Sequence, residues 1–330
     1  MCTVKPNLFI VGAPKCGTSA LAEYLNQHPQ VFICSPKEPF YWSSDFPLLQ
    51  DRHSMDSLDR YLELFREATA QHRIVGEGST NYLRSIHAIP QILDFNPDAR
   101  FIAMLRNPVD VVHAFHAELL YNFIEDESDF ETAWRLQEDR KQGNAIPVRC
   151  EAPQLLQYAE SGLFSRQISR FFDIVPRSQR QVIIFDDFKA NTRDVFDQTL
   201  QFLGLDAFSK ESFERVNAAH VHRSPLLAKL VFDPPRPLRP IVNTVRRAAR
   251  RYKFTWIESF KDWLRRPEKR CPLSPEFRME LANYFAPDVE YLSTLLDRDL
   301  THWVNSQPMS DGTQSGATNV NSTPELLKAT

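Results

Sequence analysis

The chain has 330 residues, of which 42% are hydrophobic, and a formal net charge of −3, so it can bury a sizeable core and gives no reason to expect a nucleic acid partner. Five cysteines at irregular spacing, without a Cys-x-x-Cys pair, predict reduced thiols and exclude a structural zinc site of the usual spacing. Without a secretory signal or a run of about 18 apolar residues, the chain is expected to be soluble and cytoplasmic.

The first predicted unit is a strand, a loop and a helix within residues 6–21. Residues 8–11 suit a buried strand, and the spacing of Leu21 and Leu25 is helical. The loop therefore leads to a helix N-terminus, whose unpaired N–H groups and partial positive charge favour an anion such as phosphate. A strand-to-helix turn without a ligand is the alternative. The candidate anion-binding residues are Pro14, Lys15, Cys16, Gly17, Thr18, Ser19 and Ala20.

The spacing of the glycines invites comparison with the nucleotide phosphate loop. Gly12 and Gly17 are five residues apart, as in that motif, but the lysine that should follow the second glycine is replaced by Thr18. The loop lysine is instead Lys15, which lies between the two glycines. The ligand is therefore expected to be a phosphate-like anion held in a different way.

A second short strand at residues 31–34 precedes a Lys-Glu pair between two prolines, followed by aromatic residues. Glu38 in this setting is a candidate general base, with Lys37 beside it. The alternative is an exposed ion pair in a loop, which is a common surface feature. Residues 45–70 have a helical pattern and are expected to cover this region.

Two further strands end in polar side chains. Residues 73–77 run into a turn that contains Glu77, Ser79, Thr80 and Tyr82, and ligands of open α/β sheets lie beyond the carboxyl ends of strands. Residues 100–105 form an apolar run that ends in Arg106, whose planar guanidinium suits a pair of phosphate oxygens. Pro108 then begins a helix that carries Asp110 in its first turn, and Arg106 neutralising Asp110 at the surface is the alternative.

Taken in order, three motifs resemble the PAPS-dependent sulfotransferase family, of bacterial and glycan-modifying type: Pro-Lys-x-Gly-Thr-Ser at 14–19, Lys-Glu-Pro with aromatics at 37–42, and Leu-Arg-Asn-Pro-Val-Asp at 105–110. PAPS is 3′-phosphoadenosine 5′-phosphosulfate, the sulfuryl donor. The resemblance implies a single α/β domain over residues 1–304, with a P-loop-like parallel β-sheet flanked by helices, and transfer of a sulfuryl group to a hydroxyl acceptor without a metal. A glycan, a lipid-like metabolite and a carrier-bound hydroxyl are all compatible with it.

The resemblance also implies residue roles. Lys15 corresponds to the lysine that contacts the donor near the breaking bond, and Glu38 to the glutamate that takes the acceptor proton. Arg106 corresponds to the arginine that binds the 3′-phosphate, but the serine expected eight residues later is Ala114. One lost neutral hydrogen bond costs about 0.5–1.5 kcal/mol, so donor binding should be weaker. We assign the remaining candidates, Arg223 to the donor and Lys37, His116 and Tyr158 to the acceptor side, although Tyr158 equally suits the core.

The rest of the chain predicts mainly structure. The acidic run 125–129 reads as a solvated cap of a helix that begins near Phe130, and Ser274 with Pro275 begins a final helix that ends near Leu296. Residues 236–270 hold twelve Lys or Arg against three Asp or Glu, which favours a basic solvated surface or contact with an acidic partner or a membrane. Residues 305–330 are expected to be a disordered tail.

Two rival functions remain from the residues alone. A nucleoside-triphosphate phosphotransferase would use the loop from Gly12 to Thr18 together with Asp186, which ends an apolar strand, and a magnesium ion. A degenerate member of the fold would bind a partner through residues 236–270. The sequence does not predict the oligomeric state.

Overall fold

The sheet of the computed structural model has five parallel strands in the order β2-β3-β1-β4-β5. The structure describes residues 4–46, 55–150, 152–210, 212–214, 220–223, 265–267 and 270–305. The predicted fold class, a parallel sheet flanked by helices, is confirmed. The strands are β1 Leu8–Gly12, β2 Val31–Ile33, β3 Ile74–Glu77, β4 Arg100–Leu105 and β5 Arg180–Ile184.

The central strand is β1, which pairs with β3 on one side and β4 on the other. Leu8 is level with Gly76 of β3 and with Arg100 of β4, so the three strands end at the same edge of the sheet. All residues of β1 and β3 are buried. Helices cover both faces of such a sheet, which is why these strands read as continuous apolar runs.

The helices of the described residues follow the predicted order, with shorter 3₁₀ turns between them. They are α1 Thr18–Leu25, α2 Leu58–Glu63, α3 Ala88–Phe95, α4 Pro108–Tyr121, α5 Phe130–Arg135, α6 Gln137–Lys141, α7 Tyr158–Gly162, α8 Phe164–Ile174, α9 Phe185–Ala190, α10 Thr192–Leu203 and α11 Pro275–Leu296. A short antiparallel pair, β6 His220–His222 with β7 Arg265–Pro267, lies apart from the main sheet.

Capping residues fix where the helices begin, as predicted. The Asn107 side chain accepts a hydrogen bond from the Val109 amide, and Pro108 is the first residue of α4. Ser274 caps α11 in the same way by accepting from the Phe277 amide. Both motifs satisfy an N–H group that the helix itself leaves without a partner.

The acidic run 125–129 differs from its prediction as a solvated cap. Asp129 does cap α5, since its carboxylate accepts a hydrogen bond from the Thr132 amide. Glu125, however, is buried and pairs with Arg140 of α6, with an oxygen-to-nitrogen distance of 2.6 Å. A buried carboxylate needs such a partner, and the partner comes from a separate helix. The prediction is therefore wrong for Glu125.

Helix α11 closes the fold against α8. Phe277, Leu281 and Phe285 of α11 are buried in the core. Asp288 accepts hydrogen bonds from the Phe164 and Ser165 amides and so caps α8. The last turn of the described chain is also tied to the sheet edge, because the Asn107 side chain donates to the Trp303 carbonyl oxygen at 2.7 Å.

Several predictions concern residues outside the described ranges. Of the helical cover predicted over 45–70, the described part contains α2, and residues 47–54 are not described. Most of the basic segment 236–270 and the tail beyond 305 also lie outside the description. Within the described residues, no helix combines the length and apolar character that crossing a bilayer would require.

Candidate active site

The loop between β1 and α1 lies at the carboxyl edge of the central strand. Gly17 precedes α1 with a left-handed φ of 94°, and a Cβ atom added there would lie 2.9 Å from the Phe185 ring, so a glycine is required. Among the described residues, no side chain caps the start of α1. The first N–H groups of the helix are therefore placed to donate hydrogen bonds to an anion in place of a capping side chain.

Lys15, the loop lysine, contacts an acidic residue of α4. Its Nζ lies 3.4 Å from Oε2 of Glu118, and the two side chains are 35% and 41% exposed. Glu118 was not found from the sequence, because nothing local indicates which side of α4 faces the loop. The neighbouring residue Cys16 is fully buried, and burial raises the pKa of its thiol to about 12. Cys16 therefore contributes packing and backbone, and its thiol stays protonated.

Arg106 lies beside the same loop, at the end of β4. Its Nη1 donates to the Lys15 carbonyl oxygen at 3.5 Å, and its guanidinium lies 4.9 Å from the centre of the Phe185 ring. Its Nη2 lies 3.2 Å from Oδ2 of Asp110, so the surface pairing considered as an alternative is also present. The ion pair does not displace Arg106 from the loop, and both features occur together.

Two arginines from the C-terminal part of the chain join this cluster. Arg278 of α11 donates to Oδ1 of Asp110 at 3.1 Å. Partial burial and the nearby charge of Arg106 lower the pKa of Arg270. Arg106 and Arg278 thus pair with the one carboxylate of Asp110, and Arg270 lies close enough to Arg106 and Asp110 to interact electrostatically with both. The excess positive charge suits a phosphate. The sequence did not indicate Arg270 or Arg278 as site residues, because they are far from Arg106 in the chain.

The helix α4 carries Ala114 and two histidines. Ala114 is buried two turns after Arg106, and its methyl group offers no hydrogen bond. Burial lowers the pKa of His113 to about 4, and burial also lowers the pKa of His116. Both rings are therefore neutral near pH 7 and do not replace a cationic phosphate ligand. His116 is 3% exposed, and its Nε2 donates to the Glu127 carbonyl oxygen at 2.8 Å.

Tyr158 lies in the core beneath α4. It is fully buried and donates its hydroxyl hydrogen to Glu125, and the burial raises its pKa well above the ordinary value. These surroundings match the alternative of a core residue. The acceptor-side roles of Tyr158 and His116 stay predictions, and their packing gives them no support.

Glu38 is brought to the start of α1 by Lys37. The Lys37 Nζ lies 2.9 Å from Glu38 Oε1 and donates to the Thr18 hydroxyl at 3.4 Å. On the other side, the Thr80 hydroxyl donates to Glu38 Oε2 at 3.4 Å. The carboxylate, which is 29% exposed, therefore lies beside the anion-binding loop and accessible to solvent. This is the placement that a general base needs.

The turn after β3 behaves differently from the prediction of a substrate-facing surface. Glu77 is fully buried and accepts hydrogen bonds from the hydroxyls of Ser79, Tyr61 and Tyr82 at 2.5, 3.0 and 2.9 Å. Burial raises its pKa to about 7. Of this turn, Thr80 contacts the candidate base directly, while Glu77 lies behind it.

Asp186 and Arg223 lie at the margins of the site. Asp186 accepts a hydrogen bond from the Trp303 indole at 2.6 Å and lies 3.2 Å from Nε2 of His302. Its carboxylate is thus used to hold the C-terminal turn. Arg223 is exposed at the end of β6, and the residues that follow it lie outside the description, so its role in donor binding stays a prediction.

Comparison with known proteins places these features in one family. The model of the sulfotransferase domain matches residues 5–223. The carbohydrate sulfotransferase 15 of Homo sapiens is 26% identical over 266 residues, which cover 62% of this chain and 45% of that protein. The bifunctional heparan sulfate N-deacetylase/N-sulfotransferase 3 of Mus musculus is 25% identical over 215 residues, with 62% of this chain and 23% of that protein covered. The chain thus spans less than half the length of these relatives.

A solved structure covers more of the chain. The crystal structure of a sulfotransferase from Alicyclobacillus acidocaldarius has a TM-score of 0.64 and 28% sequence identity, and the alignment covers 91% of this chain and 99% of that one. It extends the similarity well past residue 223, where the family model ends.

Proposed function

Because this chain belongs to the sulfotransferase domain family, we propose that it transfers a sulfuryl group from PAPS to a hydroxyl group of a carbohydrate acceptor. The observation that carries the proposal is the contact between Lys37 and both Thr18 and Glu38, at 3.4 and 2.9 Å. It holds a solvent-accessible carboxylate next to the anion-binding loop, so an acceptor hydroxyl can lie between a base and a donor.

The donor-binding residues fit the charge of PAPS. Lys15 and the amides at the start of α1 would hold the 5′-phosphosulfate, and Arg106 would hold the 3′-phosphate, with Arg270 as a further cation. Lys15 supplies positive charge close to the phosphate that leaves, where negative charge develops during transfer. The chemistry of the set, which is amide N–H groups and cations, is that of a phosphate site.

The proton of the acceptor goes to Glu38. As the acceptor oxygen forms its bond to sulfur, the bond between sulfur and the 5′-phosphate oxygen breaks, and the hydroxyl proton passes to the Glu38 carboxylate. Lys37 orients that carboxylate through its 2.9 Å contact. Positioning and charge stabilisation are therefore the contributions expected of this site.

The acceptor class rests on the relatives. A carbohydrate sulfotransferase and a heparan sulfate N-sulfotransferase are among the proteins that this chain resembles, which supports a glycan acceptor. A lipid-like or carrier-bound hydroxyl, membrane contact through residues 236–270 and a cytoplasmic location stay predictions. The phosphotransferase alternative loses support, because the Asp186 carboxylate is used by Trp303.

Calorimetric titration tests the donor. We expect 3′-phosphoadenosine 5′-phosphate (PAP) to bind without added metal, and Arg106→Ala to abolish this binding. The control is Arg135→Ala, an exposed arginine of α5 that pairs with Glu131 and Glu280, and it should bind PAP as the wild type does. Binding of ATP with magnesium, but not of PAP, would overturn the proposal.

Transfer assays with radiolabelled PAPS and desulfated heparin test the base. Glu38→Ala should bind PAP within about twofold of the wild type and transfer at least about a hundredfold more slowly, as expected when a positioned general base is lost. Lys15→Ala should weaken both binding and transfer. Unaltered transfer by Glu38→Ala would refute its role.

A further inference from the structure

We propose that Glu77 is a positioning residue for the reaction: it orients two hydroxyl groups, those of Ser79 and Tyr82, that hold the backbone of the segment carrying Glu38. The inference rests on the proposed role of Glu38 as the base. It concerns a carboxylate that is itself fully buried and does not reach the acceptor.

Each of the two hydroxyls forms a link between Glu77 and the segment. The Ser79 hydroxyl donates to Glu77 Oε2 at 2.5 Å and accepts from the Phe40 amide at 3.0 Å. The Tyr82 hydroxyl donates to Glu77 Oε1 at 2.9 Å and accepts from the Trp42 amide at 3.2 Å. The backbone amides two and four residues after Glu38 are thus joined to one buried carboxylate.

The direction of these hydrogen bonds explains why a carboxylate is needed. A hydroxyl group has one hydrogen, and it accepts from an amide reliably when that hydrogen points elsewhere. An ionised carboxylate, the form that Glu77 takes above about pH 7, only accepts. It therefore fixes both hydroxyl hydrogens toward itself and turns the oxygen lone pairs toward Phe40 and Trp42. Such charge-assisted bonds are also shorter and stronger than neutral ones.

The segment has a backbone conformation that requires support. Phe40 has a φ of 57°, in the left-handed region that bulky residues rarely adopt. Residues in such conformations persist when the surrounding contacts determine them strongly. The amide of this same residue is the one bound by Ser79.

The same turn also holds the residues on the other side of Phe40. The Gly78 amide donates to the Lys37 carbonyl oxygen at 2.9 Å, and the Thr80 hydroxyl donates to the Glu38 carboxylate at 3.4 Å. A Cβ atom at Gly78 would lie 3.4 Å from the Lys37 side chain, so the glycine leaves room for the lysine to pass. Glu38 is therefore held from both directions by the turn that begins with Glu77.

The surroundings of Glu77 determine the pKa of its carboxyl group. Tyr61 of α2 supplies a third hydroxyl at 3.0 Å, and burial outweighs all three bonds to raise the pKa of the carboxyl group. The charge of Glu38 acts in the same direction, and the thiol of Cys34 also lies close enough to interact. Among the described residues, the Glu77 carboxylate accepts hydrogen bonds from three hydroxyl groups and is bound by no cation.

The test compares variants that each remove one hydroxyl. Ser79→Ala and Tyr82→Phe break a link to the segment. Tyr61→Phe, the matched control, removes a bond to Glu77 that continues, among the described residues, only to the Trp42 side chain and not to a backbone amide, and it keeps the ring that stacks on Tyr41 at 4.8 Å. We expect the first two to lower kcat with desulfated heparin by about tenfold or more, because a displacement of about 1 Å suffices for such losses. Tyr61→Phe should stay within about twofold, and PAP should bind equally to all three variants.

Two further measurements make the result independent of the acceptor. Hydrogen–deuterium exchange of peptides covering residues 38–44 should be faster in Ser79→Ala and Tyr82→Phe, and unchanged in Tyr61→Phe. Glu77→Gln keeps an acceptor oxygen for Tyr82 but replaces the oxygen that accepts from Ser79 by an NH2 donor, so it should retain only part of the protection that Glu77→Ala loses. Equal exchange and equal kcat in the three hydroxyl variants would overturn the inference. If the wild type does not bind PAP, the proposed function is refuted. The hydrogen–deuterium exchange comparison still tests whether Glu77 holds the segment.

Discussion

Replacing Glu77 by glutamine should remove a pH dependence from the stability of the fold. The pKa of this buried carboxyl group is about 7, against an ordinary value of 4.5. The folded protein therefore binds the proton more tightly than the unfolded chain. The stabilisation by the protonated group is fully present below pH 4.5 and is lost as the pH rises through 7.

The magnitude follows from the difference between the two pKa values. At about 1.4 kcal/mol for each pH unit, the free energy of unfolding contributed by Glu77 falls by about 3 kcal/mol across this range. Glutamine has no proton to lose there, and it can still accept from Tyr61 and Tyr82. The difference in unfolding free energy, wild type minus Glu77→Gln, should thus fall by about 3 kcal/mol between pH 4.5 and about pH 7.5.

Urea unfolding followed by circular dichroism measures this difference. Using the difference between two variants cancels the histidines and other groups that titrate in the same range. Glu67→Gln, at an exposed glutamate, serves as the matched control for loss of a carboxylate at the surface. A difference for Glu77→Gln that stays constant from pH 4.5 to 7.5 would refute the reasoning that burial dominates its hydrogen bonds.

Three further predictions concern the donor site and the core. Glu118→Gln removes the carboxylate that pairs with Lys15, and since exposed pairs contribute at most about 1 kcal/mol, PAP should bind up to about fivefold more tightly by calorimetry; weaker binding would show that Glu118 does not compete with the donor. Ala114→Ser should tighten PAP about two- to tenfold through one added hydrogen bond and leave ATP unaffected; no change in PAP affinity would mean that this position does not reach the 3′-phosphate. Glu125→Gln leaves the Arg140 guanidinium buried without its carboxylate and should cost about 3–5 kcal/mol of unfolding free energy in urea at pH 7, and a second substitution, Arg140→Met, should recover part of it. Wild-type stability in Glu125→Gln would contradict the importance of this pair.

The parts of the fold that the sequence predicted well are those with local signals. The apolar run of β4, the proline at the start of α4 and the serine cap of α11 each lie within a few residues of the feature they specify. The strand, loop and helix around Lys15 also follow from local spacing. Such signals come from residues within one or two turns of the feature, so they can be recognised in the sequence without knowledge of the tertiary structure.

Residues that act across the fold could not be found in this way. The contact of Glu118 with Lys15 depends on how α4 is rotated against the loop, and the burial of Glu125 depends on Arg140 in another helix. Glu77 was predicted to face a substrate because it lies at the end of a strand, yet hydroxyl groups from α2 and from the turn after β3 enclose it. The proximity of Glu38 to the loop was expected only from the family resemblance, since no local sequence pattern indicates it.

The contacts of α11 set a lower limit on the length of chain that can fold as a unit. The family model ends at residue 223, but α11 begins at Pro275 and supplies the cap of α8 through Asp288 and the partner of Asp110 through Arg278. Apolar surface that Phe285 covers, such as the Trp134 ring 5.9 Å away between ring centres, would also become exposed if the chain were cut at the end of the match. A fragment chosen by sequence similarity alone is therefore expected to have low solubility. Variant libraries intended to alter acceptor choice should keep α11 intact.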